Sequence, residues 1–237
     1  MRKDVAIISV VLSLGVAGSP GANALDNSNS ESRMSERVLA CAPCHGAEGE
    51  GSRDPYFPRL GGKPAGYLLN QLEAFKNGRR RYPPMNYLLE YLPEDYLAEI
   101  AAYFAAQRPP LPTSGIPDVS AEVLHHGEDL VSQGDVGRNI PACTSCHGSG
   151  LTGMEPGIPG LLGLRPAYVS AQLGAWRYGT RTALSPDCMQ GVAARLTEAD
   201  VKAVAAYLAT RPAPADSAPA PKGAYALPFA CGSEPTK

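Results

Sequence analysis

"CAPCHGAEGEG" (residues 41–51) and "CTSCHGSGLTG" (residues 143–153) are two copies of one pattern: two cysteines three apart, a histidine directly after the second, then glycine. In C-x-x-C-H each thiol can add across a haem vinyl group while the adjacent histidine offers a ring nitrogen to the iron from the same side, the arrangement of c-type haem attachment. Zinc binding and a thioredoxin-like dithiol are the competing uses of such cysteines. Zinc wants a second ligand pair at a matching distance, and a redox dithiol wants a βαβ context that this Gly-, Pro- and Ala-rich sequence lacks. The expectation is two covalently bound haem c groups, held by Cys41 and Cys44 and by Cys143 and Cys146, with His45 and His147 as proximal iron ligands.

The chain's 237 residues allow one large domain or two small ones. Its first 24 residues read as a secretory signal: Arg2 and Lys3, the apolar "VAIISVVLSLGVAG", and "ANA" at 22–24 as a cleavage site. The apolar run is short for a membrane span of about 20 residues. Export to the periplasm is therefore expected, as a soluble protein. Without those residues the chain carries 19 Lys or Arg and 22 Asp or Glu, a formal charge of −3, which gives no sign of nucleic-acid binding.

The two copies belong to a longer duplication. Met85 lies 40 residues after His45 and Met189 lies 42 after His147; Tyr103 and Tyr207 both follow their methionine by eighteen. "YLLNQLEAFKNGRR" (67–80) aligns with "YVSAQLGAWRYGTR" (168–181), pairing Tyr67 with Tyr168, Gln71 with Gln172 and Phe75 with Trp176. A residue type repeated at the sixth iron position makes Met85 and Met189 the candidate distal ligands. An ordinary core methionine is the competing reading, but in "YPPM" Pro83 and Pro84 predict an extended loop that can present the sulfur of Met85.

Each unit predicts three helices: 35–40 or 121–133, the "Y…QL…F/W" segment, and 93–107 or 197–210. Thr197 and Pro93 suit helix starts. No strand alternation is present, so the fold class is all-α. The boundaries read as 25–110 for the first domain, 111–118 for a Pro-rich linker, 119–210 for the second domain and 211–237 for a Pro/Ala-rich tail.

With these motifs in this order, the chain from about 35 to 210 resembles the diheme cytochrome c4 family, tandem class I cytochrome c domains related by a pseudo-twofold axis. The resemblance implies a periplasmic electron carrier with two His/Met haems. Its partners would be periplasmic redox proteins: a dehydrogenase or quinol-oxidising complex as donor, a terminal oxidase as acceptor, reached by docking at membrane complexes. It also implies that Pro58 and Pro159 accept the proximal histidines' N–H through their carbonyls. Arg79 and Arg181 are candidates for haem propionates, with solvated surface charge as the alternative. With both axial positions filled neither iron is open to substrate, so the expected role is electron transfer and not enzymatic catalysis.

The residues also support alternative readings. The same fold serves as the cytochrome subunit of a periplasmic dehydrogenase complex. Cys188, beside Met189, either pairs with Cys231, the only other unassigned cysteine, or ligates a haem as in a diheme thiosulfate dehydrogenase. A disulfide over that 43-residue separation would stabilise the fold by roughly 4 kcal/mol. His125 and His126 precede the second motif and are expected to face solvent or the linker.

Overall fold

The computed structural model describes residues 33–54, 56–112, 115 and 117–234. The expected leader, 1–24, lies outside them, as do parts of the linker and of the tail. No helix among the described residues is long and apolar enough to cross a membrane.

The chain forms two helical units. In the first, helical turns over 33–37 lead to α1 (Ala42–His45), α2 (Ala65–Lys76), α3 (Pro83–Leu89) and α4 (Glu94–Ala106). The second has α5 (Ala121–Ser132), a 3-10 turn (Val136–Arg138), α6 (Thr144–His147), α7 (Pro166–Arg177), α8 (Cys188–Ala193) and α9 (Glu198–Thr210). Local chemistry explains the helix starts. Ser120 accepts a hydrogen bond from the Val123 N–H at the head of α5, Pro166 occupies the first turn of α7, and Thr197 and Asp200 form a reciprocal capping box on α9. At α4 the start follows Pro93, with Glu94 and Asp95 in the first turn to complement the helix dipole.

One local expectation is corrected. Pro83 and Pro84 do not hold an extended loop: they begin α3, where a missing N–H costs nothing, and only Tyr82 before them is extended. A strand pair is also present, β1 (Gly153–Met154) antiparallel to β2 (Ile158–Pro159). Two residues per strand are too few to carry a readable alternation.

Ile100 and Phe104 of α4 pack with Val38 and Leu68 in the first unit, where Leu97 packs with Phe75 and Leu89; Leu130 and Val131 of α5 pack with Val204 and Leu208 of α9 in the second. α5 crosses α9 at Gly127, where a Cβ would stand 2.2 Å from the Ala203 carbonyl oxygen. Beside this crossing Asp200 is 2% exposed. It accepts hydrogen bonds from Arg138 Nη1 at 2.6 Å, His126 Nε2 at 2.7 Å and the Thr197 N–H at 2.7 Å. Burial alone would raise its pKa, but these bonds prevail and hold the carboxyl well below its ordinary value.

The units meet about a pseudo-twofold centre. Arg80 and Arg181 form an antiparallel bridge, flanked by Arg81 N–H to Thr180 O at 2.9 Å and Thr182 N–H to Arg79 O at 2.7 Å.

Gly127→Ala is expected to destabilise the second unit by about 1–3 kcal/mol in chemical denaturation, because the helices must separate to admit a methyl. Asp200, with its depressed folded pKa, contributes stability that is complete above the unfolded carboxylate value near 4 and is lost as pH falls through the folded value. Asp200→Asn should therefore cost about 1–3 kcal/mol at neutral pH and flatten the stability loss below about pH 4, measured by urea midpoints across pH.

Candidate haem pockets and the seam between them

α1 is a single turn that places Cys41, Cys44 and His45 around one cavity of about 500 Å³, whose wall also includes Pro58, Arg80 and Met85. Gly46 follows His45 at φ 82°, and Gly148 repeats this after His147. Such a left-handed residue turns the chain away from the motif without the Cβ penalty. His45 is buried, and its Nδ1 lies 2.9 Å from the Pro58 carbonyl. A carbonyl only accepts, so Nδ1 carries the hydrogen and Nε2 keeps a free lone pair. Burial, which favours the neutral ring, pushes the His45 pKa down against the opposing effect of that bond.

The second unit repeats this construction. Cys143, Cys146, His147, Pro159, Trp176, Arg181 and Met189 line a cavity of about 160 Å³. His147 donates from Nδ1 to Pro159 O at 2.7 Å, and burial again lowers its pKa. Burial pushes the Cys143 thiol up to about 12. The second cavity is the smaller, and Leu227, Phe229 and Cys231 of the tail join its wall. Cys188 is bonded to Cys231, with Cα atoms 5.0 Å apart, so it presents no thiolate.

Between the cavities lies a symmetric hydrogen-bond cage. Arg80 donates to Gln71 at 3.0 Å, Tyr168 at 2.9 Å and Gln172 at 2.8 Å. Arg181 donates to Gln172 at 2.9 Å, Tyr67 at 3.3 Å and Gln71 at 2.6 Å. Each guanidinium also covers its own unit's aromatic ring, Arg80 on Phe75 at 4.4 Å and Arg181 on Trp176 at 3.7 Å. Nearby, Lys63 donates to the Gly160 carbonyl at 2.8 Å, and burial brings its pKa down to about 8.

Arg181 thus faces its cavity, whereas Arg79 does not: its carbonyl serves the seam, and Arg80 takes the place equivalent to Arg181. The aligned segments, 67–80 and 168–181, already pair Arg80 with Arg181 at their last position. Lys63 carried no sequence signal. His125 bonds Asp129 at 3.0 Å on the surface and His126 serves Asp200, so neither lines a cavity.

The pockets fit a haem c. Among the described residues Arg80, Arg181 and Lys63 are buried cations without a carboxylate partner, and the indole N–H of Trp176 is buried without an acceptor. Such charges and donors are costly unless countered. The two propionates of a haem c are anions of the kind this seam lacks, and the apolar walls suit its porphyrin.

The cytochrome c family model matches residues 35–103 and 137–212. Cytochrome c4 of Pseudomonas aeruginosa is 37% identical over 204 residues, covering 85% of this chain and 96% of that protein. The chain belongs to the diheme cytochrome c4 family. A thiosulfate dehydrogenase electron acceptor of Thiomonas intermedia is 37% identical over 180 residues, covering 74% of this chain and 80% of the relative. The crystal structure of reduced recombinant cytochrome c4 from Pseudomonas stutzeri superposes with a TM-score of 0.66 at 32% identity, covering 76% of this chain and 97% of that one.

As a member of the cytochrome c4 family the protein carries two covalently bound haem c groups, one per unit, and is an electron-transfer protein. The Arg–Gln–Tyr cage joins the two units with side chains from both.

Proposed function

We propose that this protein is a periplasmic carrier of single electrons whose haem irons are held by His45 and Met85 in the first unit and by His147 and Met189 in the second. The observation that carries the reading is the duplication of one constellation: in each cavity a buried histidine, its Nδ1–H committed to a proline carbonyl, shares the wall with a methionine from a short helix. When bound, each haem supplies a one-electron iron couple. The protein's share is orientation and field. Pro58 and Pro159 orient the histidines and raise their basicity. The thioether ligands favour the reduced iron. Cys41, Cys44, Cys143 and Cys146 hold the porphyrins covalently, and Arg80 and Arg181, not Arg79, neutralise propionates at the seam.

For the direction of transfer, our reading is a dehydrogenase or quinol-oxidising complex as donor and a terminal oxidase as acceptor in the respiratory chain. A second reading is supported by the similarity to a thiosulfate dehydrogenase electron acceptor: the chain accepts electrons from a separate enzyme that oxidises a sulfur compound. Stoichiometric co-purification with a catalytic subunit favours the second reading, and a free carrier reduced by quinol-oxidising membranes favours the first. The Cys188–Cys231 bridge opposes a third role, an enzyme with a cysteine-ligated haem, by removing the thiolate it requires.

The oxidised holoprotein should show a methionine-to-iron charge-transfer band from both haems. Met85→Ala and Met189→Ala should each remove about half of it and lower one of the two reduction potentials; an unchanged band overturns that ligand. Arg181→Gln removes a cation shared by both units, so both potentials should fall, by on the order of 59 mV or a tenfold change in the one-electron equilibrium, in a spectroelectrochemical titration.

A further inference from the structure

We infer that the C-terminal segment, residues 218–234, is a covalently pinned cover that shields the second haem from external ligands and leaves the first as the accessible centre. The inference rests on the assignment of Met85 and Met189 as distal ligands. The segment lies beyond the residues that the family model matches, so it is an addition to the common domain.

It is fastened around the second pocket at four places. Ala220 pairs with the β1 hairpin, its N–H donating to Gly153 O at 2.9 Å and its carbonyl accepting from Glu155 N–H at 2.9 Å. The Tyr225 ring stands 3.0 Å from where a Cβ of Gly148 would be, directly after His147. Cys231 is bonded to Cys188, the neighbour of Met189. The Glu234 carboxylate accepts from the Gly157 N–H at 2.8 Å, between β1 and β2. The cover therefore spans from the proximal histidine to the methionine helix, and Leu227 and Phe229 between these anchors lie on the cavity wall.

The first pocket is finished differently. None of the described tail residues lines it. Its rim carries Tyr56 stacked on Tyr82, ring centroids 6.2 Å apart, and α3 with its continuation presents Tyr87 and Tyr91 at 80% and 84% exposure. Among the described residues, one duplicated unit carries a lid and its twin carries none. Hydrogen bonds and apolar contacts at a chain end open readily by themselves, but a cross-link at Cys231 limits how far the segment can swing.

The test is an imidazole titration of the oxidised full-length holoprotein, resolved haem by haem through the paramagnetically shifted haem methyl resonances. In the wild type the first haem should exchange its methionine for imidazole at least tenfold more readily than the second. Cys188→Ser combined with Cys231→Ser, which leaves no free thiol beside Met189, should raise the second haem's affinity at least tenfold and leave the first unchanged. Leu227→Ala with Phe229→Ala keeps the bridge, should shift the second haem in the same direction, and decides the matter if the serine variant loses haem. Equal affinities in the wild type, or a second-haem affinity that the variants leave unchanged, overturn the cover. The methionine band recorded before imidazole is added tests the ligand assignment separately: its absence at one haem overturns that assignment, whereas the band at both haems together with equal imidazole affinities overturns the cover alone.

Discussion

The structure depends on a hydrogen bond made twice, from the Nδ1–H of a buried histidine to a proline carbonyl. It fixes which nitrogen faces the cavity, and it explains why a one-turn helix suffices for the motif. Everything else in each unit can be read as wall: helices brought to the rim by capping residues and first-turn prolines, with their apolar sides facing a space that the chain does not fill by itself. A unit of this size buries limited surface, and a covalent prosthetic group supplies the missing core.

A second constraint acts between the units. Two guanidiniums bonded to the same pair of glutamines, with a lysine close by and no carboxylate among the described residues to balance them, favour an anion beside them. In the proposed function the seam couples fold to function, since the side chains that join the domains are the cations placed between the two pockets. Its near-exact symmetry follows from the duplication, since each unit contributes one tyrosine, one glutamine and one arginine at matching offsets.

The duplication is nevertheless unequal. The second unit has a leading helix crossed at Gly127, a buried carboxylate tying three segments together, and a disulfide-fastened tail. The first keeps exposed aromatic residues beside its methionine helix. The two duplicated pockets thus have unequal surroundings.

Much of this was legible in the residues. The C-x-x-C-H spacing is local chemistry, requiring no partner distant in sequence, and the repeated offsets to methionine, tyrosine and helix followed from counting. The helices were readable because periodicity, capping and proline position are local too. Other features were decided by tertiary contact. Arg80 and not Arg79 faces the cavity because the cross-domain bridge sets which of two adjacent side chains points inward. Lys63 acquired its role only when Gly160, 97 residues away, came within 2.8 Å. The prolines before Met85 opened a helix because a first turn needs no proline N–H, which local sequence could equally have placed in a loop. The tail became a lid because Cys231, Tyr225 and Glu234 meet partners on three different segments, and no spacing along the chain encodes that convergence.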